Sequence, residues 1–280
     1  MTAKFFRLSA PLMIFGVLLS MGAGVCRAQY DQGVPQPPPN IPPQNAPSKA
    51  APAAPKLNKA EEDAYKALSA RTIAPGAQIQ QGEDFVKKFP DSHYLPSVYG
   101  ILTTAYFGTG DVDKMFVAGS KALELYPDNV DVLSLLAMAM PRRIKATTPD
   151  GAQQLVKAEE YARHAIELIP NLPKPPDVDD ATFEKAKNEK LSMAHSGLGL
   201  IDTTHQKWDD ARTELMLAVQ LASNPDPVDY YLLGNADVQG SYYNDAVAAY
   251  AKCATSGPLA PTCKARGDSA QHDAATKLGR

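Results

Sequence analysis

The chain has 280 residues and lacks the motifs by which most enzymes hold a phosphate, a catalytic serine or a zinc ion. It contains no phosphate loop, no G-x-S-x-G nucleophile turn and no H-E-x-x-H zinc helix. His195 and His205 are ten residues apart on one predicted helix and its end, too far for joint metal ligation at one-turn spacing. The sequence therefore predicts a protein that is not an enzyme and binds no metal or cofactor.

Positive charge is also scarce. The formal net charge is −3, and three of the basic residues, Lys4, Arg7 and Arg27, lie in the first 28 positions. Without those positions the net charge becomes −6. Nucleic-acid binding needs Lys and Arg to neutralise phosphates, so we expect no nucleic-acid partner.

The first 28 residues have the pattern of a secretory signal peptide. Lys4 and Arg7 precede an apolar stretch over residues 8–25, which ends in a small-residue site at Ala28. We therefore predict cleavage after Ala28 and an exported chain that has no membrane span after cleavage. We expect a periplasmic or extracellular location, either free or associated with the cell envelope.

Two alternatives for the amino terminus stay open. A retained transmembrane anchor is disfavoured because Pro11 and Ser20 interrupt the apolar stretch, whose core is shorter than the roughly 20 residues of a spanning helix. A lipid anchor on Cys26 is disfavoured because residues 23–25 lack the Leu and the small neighbour of lipoprotein signals.

Cysteine is rare. The chain has three, and loss of Cys26 with the signal peptide leaves only Cys253 and Cys263. An even pair in an exported protein predicts a disulfide, and two buried free thiols are the alternative. The spacing does not support a CxxC-type redox centre.

Residues 29–58 contain nine prolines and few large apolar side chains. Such a segment buries too little surface to fold, and dense proline favours extended conformations, so we predict a disordered Pro-rich linker or tether. A docking peptide for a proline-recognition module is the alternative.

From residue 60 onward the chain reads as paired amphipathic helices with a period near 34 residues. Residues 97–129 place Tyr99, Leu102, Thr103 and Tyr106 on one helix, Gly110 in a turn, and Met115, Ala122 and Pro127 on and after a second helix. Ala137 lies 34 residues beyond Thr103 in the same register. The later units show Gly199 and Gly234, 35 residues apart, followed by second helices that contain Ala211 and Ala246.

This order of bulky, small, aromatic, turn and proline positions resembles the tetratricopeptide repeat (TPR) over roughly residues 60–255. The resemblance implies an all-α, TPR-type solenoid of about five antiparallel helix pairs, a right-handed superhelix with a concave groove. More narrowly, the chain is similar to exported TPR proteins of environmental bacteria such as Acidobacteria, which pair a Pro-rich segment with a Cys-bearing end.

The predicted organisation follows from these segments. It consists of a signal peptide (1–28), a Pro-rich linker (29–58), a solenoid (59–260) and a C-terminal capping helix and tail (261–280). The units cover about 60–92, 96–129, 130–171, 180–224 and 227–257. Two insertions interrupt the period: a predicted turn over 141–150, and residues 171–188, where Asp179 or Asp180 would cap a long helix. Each insertion is either a partner contact or a tolerated loop.

The TPR resemblance implies that the first helix of each pair lines the groove. In repeat register, the side chains that would face a partner there are Thr104, Phe107, Ser134, Met138, Ser196, Leu200, Tyr231, Asn235 and Gln239. This set lacks the Lys and Arg clamp by which some TPR domains bind a terminal carboxylate. Arg142 and Arg143 are the basic doublet near the groove, either pairing with an acidic partner or lying in a solvated turn.

We therefore expect an exported scaffold that binds a protein or peptide of unknown identity, through apolar anchors and amide hydrogen bonds. One alternative is an envelope or outer-membrane assembly or secretion factor, because residues 89–96 resemble such proteins. A second is an enzyme or cofactor carrier with its site in the insertions.

Overall fold

The computed structural model describes residues 58–277, apart from 71–72, 145–147, 149 and 256. The predicted signal peptide and almost all of the predicted Pro-rich linker lie outside the described residues. The described helices all belong to one compact unit, Pro55–Arg280. Among them, none combines the length and apolarity that crossing a membrane requires.

The fold is all-α, as predicted from the sequence. The described residues form eleven α-helices and one short 3-10 turn, Ile169–Asn171. The helices are α1 (Lys59–Leu68), α2 (Pro75–Lys88), α3 (Leu95–Thr109), α4 (Val112–Leu125), α5 (Val130–Arg143), α6 (Gly151–Leu168), α7 (Asp180–Thr204), α8 (Trp208–Leu221), α9 (Pro227–Gln239), α10 (Tyr243–Cys253) and α11 (Ala260–Lys277).

Consecutive helices pack as five pairs: α1 with α2, α3 with α4, α5 with α6, α7 with α8, and α9 with α10. From α3 onward the first helices of successive pairs also pack on one another, and α11 covers α10 at the carboxyl end. This is the predicted array of about five helix pairs with a C-terminal capping helix.

Asn and Asp side chains start five of the helices. Each accepts a hydrogen bond from a backbone amide of the first turn, which would otherwise have no partner. These residues are Asn58, Asp111, Asn129, Asp179 and Asp226. At Asp179 the bond from the Thr182 amide also lowers the carboxyl pKa, because it favours the charged form. The predicted cap of the long helix α7 is therefore present.

Helix α5 corrects one expectation. The turn predicted to begin at Pro141 begins later, because α5 continues through Pro141 to Arg143. Proline lacks the amide that would bond the carbonyl of Ala137, four residues earlier. Pro141 is nevertheless buried in the packed helix, and tertiary packing outweighs its local preference.

Small residues allow the close pairing of helices. A Cβ added at Gly199 would lie 2.5 Å from the Leu215 side chain, and one added at Gly234 would lie 2.7 Å from the Tyr250 ring. Ala211 and Ala246 are fully buried. The paired helices therefore approach closely at the positions where the sequence repeat places glycine and alanine.

Candidate functional site

An open apolar cleft lies between α2 and α4, with α3 as its floor. We call it the first cleft. Its volume is about 550 Å³, and its apolar lining comes from Val86, Tyr99, Leu102, Val117 and Ala118. Val117 is 68% exposed, which is high for a branched apolar side chain. Exposed apolar surface that lines a concave site is typical of ligand and protein docking sites.

The rim of the first cleft is polar and internally bonded. The Tyr106 hydroxyl donates a 2.6 Å hydrogen bond to Glu83, and the Lys114 ammonium donates a 3.2 Å bond to the same carboxylate oxygen. These two bonds lower the pKa of Glu83, while burial raises the pKa of Tyr106. Glu83 is therefore the point at which Tyr106 of α3 and Lys114 of α4 meet α2.

A longer cleft lies between α4 and α6, with α5 as its floor. We call it the second cleft. It consists of two adjoining cavities of about 650 and 400 Å³, which share the lining residues Ser120, Lys157 and Tyr161. Both clefts thus lie between the second helices of successive pairs.

The structure separates the nine predicted groove residues into three groups. Thr104, Phe107 and Gln239 are exposed, whereas Met138, Leu200, Tyr231 and Asn235 are partly buried. Ser134 and Ser196 are buried, at 0% and 2% exposure, so neither presents its hydroxyl to a partner in this structure. Their helices cause this, because α5 and α7 pack tightly together and enclose both serines.

Ser196 belongs to a partly buried network of charged side chains, in which Asp229 is the buried member. Its hydroxyl donates a 2.7 Å hydrogen bond to Asp229 and accepts a 3.1 Å bond from Arg142. Arg142 also pairs with Asp229 at 3.2 Å and with Asp226 at 2.6 Å. Burial raises the pKa of Asp229, against the opposing effect of Ser196 and Arg142. The network ties α5, α7 and α9 together.

The two arginines of the basic doublet are therefore engaged within the chain. Both belong to α5 and neither lies in a turn. Arg143 pairs with Asp113 at 3.1 Å, but the two side chains are 55% and 87% exposed. By contrast, the Arg142 side chain is 27% exposed and that of Asp229 only 6%. The two neighbouring arginines thus differ sharply in the burial of their partners.

A second buried charged pair joins α8 to α9. The Arg212 guanidinium donates a 2.7 Å bond to Asp237, which is 1% exposed, and a 2.8 Å bond to the exposed Asp245. Burial raises the pKa of Asp237 to about 6. Because the Arg212 side chain also stacks 4.3 Å from the Tyr242 ring, this cluster has a packing role.

Histidine and acidic residues do not gather into a metal site in the described part of the chain, where no group of three or more potential ligands occurs. His195 contacts Glu214 at 2.6 Å across the pair α7–α8, and His164 contacts Asp128 at 2.8 Å. Each histidine thus has a single carboxylate neighbour, an arrangement that suits a structural hydrogen bond.

Neither cleft was predicted from the sequence, which indicated the first helices and the insertions as the places for a partner. Val117 on α4 carries a local signal: an apolar residue at a position that the repeat leaves on the surface. The clefts arise from the distance between successive second helices, which the repeat period does not encode.

Cys253 and Cys263 lie at bonding distance in the structure, with Cα atoms 5.8 Å apart. Both are fully buried, and they connect the end of α10 to the start of α11. The Cα separation suits a disulfide. Such a bond would fix the capping helix to the last repeat.

We expect titration of purified protein that lacks residues 1–28, and with them Cys26, to find no free thiol after unfolding without reductant. Replacing both cysteines with serine should lower the free energy of unfolding by roughly 3 kcal/mol, because the disulfide reduces the conformational entropy of the unfolded chain. The control is wild type in reductant, which should lose a similar amount. Two titratable thiols in the non-reduced protein would show that the bond does not form.

Among the comparisons with known proteins, only the one with solved structures found similar proteins. No protein-family model matches the chain, and no curated protein matches it. A thermophilic TPR protein of Thermus thermophilus, TTC0263, is 18% identical, and the match covers 76% of this chain and 96% of that one, with a TM-score of 0.45. PilW, a type IV pilus biogenesis factor, is 12% identical over 79% of this chain and 96% of its own, with a TM-score of 0.47.

A double mutant of MamA RS-1 is 13% identical, over 70% of this chain and 91% of its own, with a TM-score of 0.43. At these identities and TM-scores the similarities carry no argument about function. The description of the chain as an array of five helix pairs with a capping helix depends on the packing of its own helices.

Proposed function

We propose that the chain is an exported scaffold that binds a protein or peptide partner and catalyses no reaction. The observation that carries this proposal is the first cleft, where Val86, Tyr99 and Val117 keep an apolar surface open beside the hydrogen-bonded rim around Glu83. A partner that inserts an apolar side chain there would bury surface that the folded chain leaves in water. Burial of apolar area is the main source of affinity at such sites.

The helical array supports the same function. Stacked helix pairs offer extended surfaces to a partner, and the enzyme motifs sought in the sequence are absent from it. Export, the periplasmic or extracellular location and the narrower similarity to exported TPR proteins of Acidobacteria-like bacteria are parts of this proposal. The face of the first helices, with Phe107 exposed, is the competing location for the partner.

Two matched substitutions decide between the two surfaces. Val117→Arg places a charge in the first cleft, and Phe107→Arg places the same charge on the face of the first helices. Neither residue is buried, so both variants should keep the helical circular dichroism of wild type. Tagged wild type and both variants are used for affinity capture from the envelope of the producing bacterium, with quantitative mass spectrometry.

We expect a specific partner whose recovery falls at least about tenfold with Val117→Arg and stays unchanged with Phe107→Arg. A partner that binds in the first cleft would have to remove water from the charge of the new arginine, which costs free energy. Loss with Phe107→Arg alone would move the site to the first helices. If no captured protein depends on Val117 or on Phe107, the scaffold proposal is wrong for both surfaces.

A further inference from the structure

The second cleft is long enough for a helix. Its lining runs from Phe116 on α4 to Pro127, just beyond the end of that helix, and along α6 from Gln154 to His164. Eleven residues of α-helix rise about 16 Å, so the second cleft is about three helical turns long. A bound helix of that length would present three anchor side chains on one face, at positions i, i+3 or i+4, and i+7.

The floor of the second cleft is apolar along this length. Leu133, Leu136 and Met140 of α5 form it, and Tyr161 of α6 forms part of one wall. Leu133 and Leu136 are 2% and 1% exposed, so they close the bottom of the cleft and leave almost no accessible surface of their own. Met140 and Tyr161 are only partly buried. The partly buried pair provides adaptable contact surface, since methionine adjusts to many shapes.

Charge is distributed unevenly along the second cleft. The cavity at the end of α5 is lined by Arg143 and Lys157, and no acidic residue of the described chain lines it. The cavity at the other end is lined by Glu124 and Glu160, together with His164 and with Lys157, which both cavities share. Arg143 therefore marks the basic end, Glu124 and Glu160 mark the acidic end, and Lys157 lies between them.

Neighbouring contacts reduce the difference in charge between the two ends of the second cleft without removing it. At the basic end Arg143 pairs with Asp113, and the Lys157 ammonium lies 5.6 Å from the centre of the Tyr161 ring. At the acidic end Glu124 pairs with Lys121, and His164 contacts Asp128. All of these residues except Tyr161 and His164, which are partly buried, are exposed. Exposed pairs exchange partners at little cost.

We propose that the second cleft binds an amphipathic helix of a partner protein, with apolar anchors on one face, acidic residues beside Arg143 and Lys157, and basic residues beside Glu124 and Glu160. This inference rests on the proposed scaffold function and adds the chemistry of the partner. An apolar seam supplies the affinity, and complementary ends select the partner and set its direction in the cleft.

Selection from a random library of 16-residue peptides displayed on phage tests this proposal on the purified full chain. We expect binders with apolar residues at i, i+3 or i+4, and i+7, an acidic cluster at one end and a basic cluster at the other. A second selection uses the variant Arg143→Glu/Lys157→Glu. It should return peptides in which the acidic cluster is replaced by a basic one.

Matched blocking variants locate the binding. Ser120 is exposed and lines both cavities of the second cleft, so Ser120→Arg should lower the affinity of selected peptides at least about tenfold. Val117→Arg adds the same side chain one turn earlier on α4, in the first cleft, and should leave that affinity unchanged. Circular dichroism verifies that both variants keep the wild-type helix content.

The outcomes separate this inference from the scaffold proposal. Peptides that are lost with Val117→Arg and kept with Ser120→Arg would overturn the second cleft as the helix site and leave the scaffold proposal standing. Selected peptides without charged ends, or an unchanged consensus on the charge-reversed variant, would overturn the stated partner chemistry. Failure to select any peptide above background would overturn the helix proposal, while the affinity capture with Val117→Arg and Phe107→Arg decides the scaffold proposal separately.

Discussion

Replacing Gly197 with alanine should lower the free energy of unfolding by about 2 kcal/mol or more, the net of two opposing effects. A Cβ at this position would lie 2.3 Å from the carbonyl oxygen of Ala137 and 2.7 Å from its carbonyl carbon. Both atoms belong to the backbone of α5, so no side chain can rotate away and the two helices must separate. Because only the backbone can move, the overpacking cost lies at the upper end of its range, at about 3 kcal/mol or more, whereas alanine gains about 1 kcal/mol in helix propensity.

Urea unfolding followed by circular dichroism measures this effect, and Gly76→Ala is the matched control. Gly76 also lies in a helix, α2, but no atom comes within 4 Å of its added Cβ. The control should therefore unfold at the wild-type urea concentration or slightly above it. Equal midpoints for Gly197→Ala and Gly76→Ala would show that α5 and α7 do not meet as closely as the structure places them.

The close contact at Gly197 involves the same carbonyl group that Pro141 leaves without its helical hydrogen bond. Pro141 has no amide to bond the Ala137 carbonyl, and this same carbonyl lies against the backbone of Gly197. Pro141 of α5 and Gly197 of α7 thus both affect the surroundings of the Ala137 carbonyl. Neither residue alone indicates this contact, which explains why the sequence predicted a turn at Pro141.

The elements that depend on local chemistry were predictable from the sequence. Asp179 caps α7 because its carboxylate accepts a bond from a first-turn amide, whatever the surroundings. Gly110 ends α3 in the left-handed conformation, with φ of 76°, because it has no Cβ to clash there. The pairing of helices followed from the repeat of small residues. These features make up most of the fold, which is why the helix-pair array was predicted from one sequence.

The candidate site was less predictable because it depends on distances between pairs. Repeat register assigned Ser134 and Ser196 to the groove, but the tight packing of α5 on α7 buries both. The same register did not predict the open clefts on either side of α4. Such tilts and separations come from side-chain volumes on several helices together, which a period of about 34 residues does not contain.

Replacing Arg142 with methionine should lower the free energy of unfolding by about 3 kcal/mol at pH 7. The Asp229 side chain, 6% exposed, would keep its charge without the guanidinium that now lies 3.2 Å away. Removing one partner of a buried pair costs about 3–5 kcal/mol, and the partial exposure of Arg142 favours the lower end. Arg143→Met is the neighbouring control and should cost less than about 1 kcal/mol, because its partner Asp113 is 87% exposed.

Acid should reduce the defect of Arg142→Met. Burial already raises the pKa of Asp229, and loss of the arginine removes an interaction that favours the charged carboxylate, so this pKa rises further. The folded variant then binds a proton more tightly than the unfolded chain, and the difference between wild type and variant shrinks as pH falls from 7 to 5. Asp229→Asn in the same background should restore part of the loss at pH 7 and flatten this pH dependence. Urea unfolding at the two pH values measures both effects, and a defect of equal size at pH 5 and pH 7 would mean that Asp229 is not the charge that Arg142 stabilises.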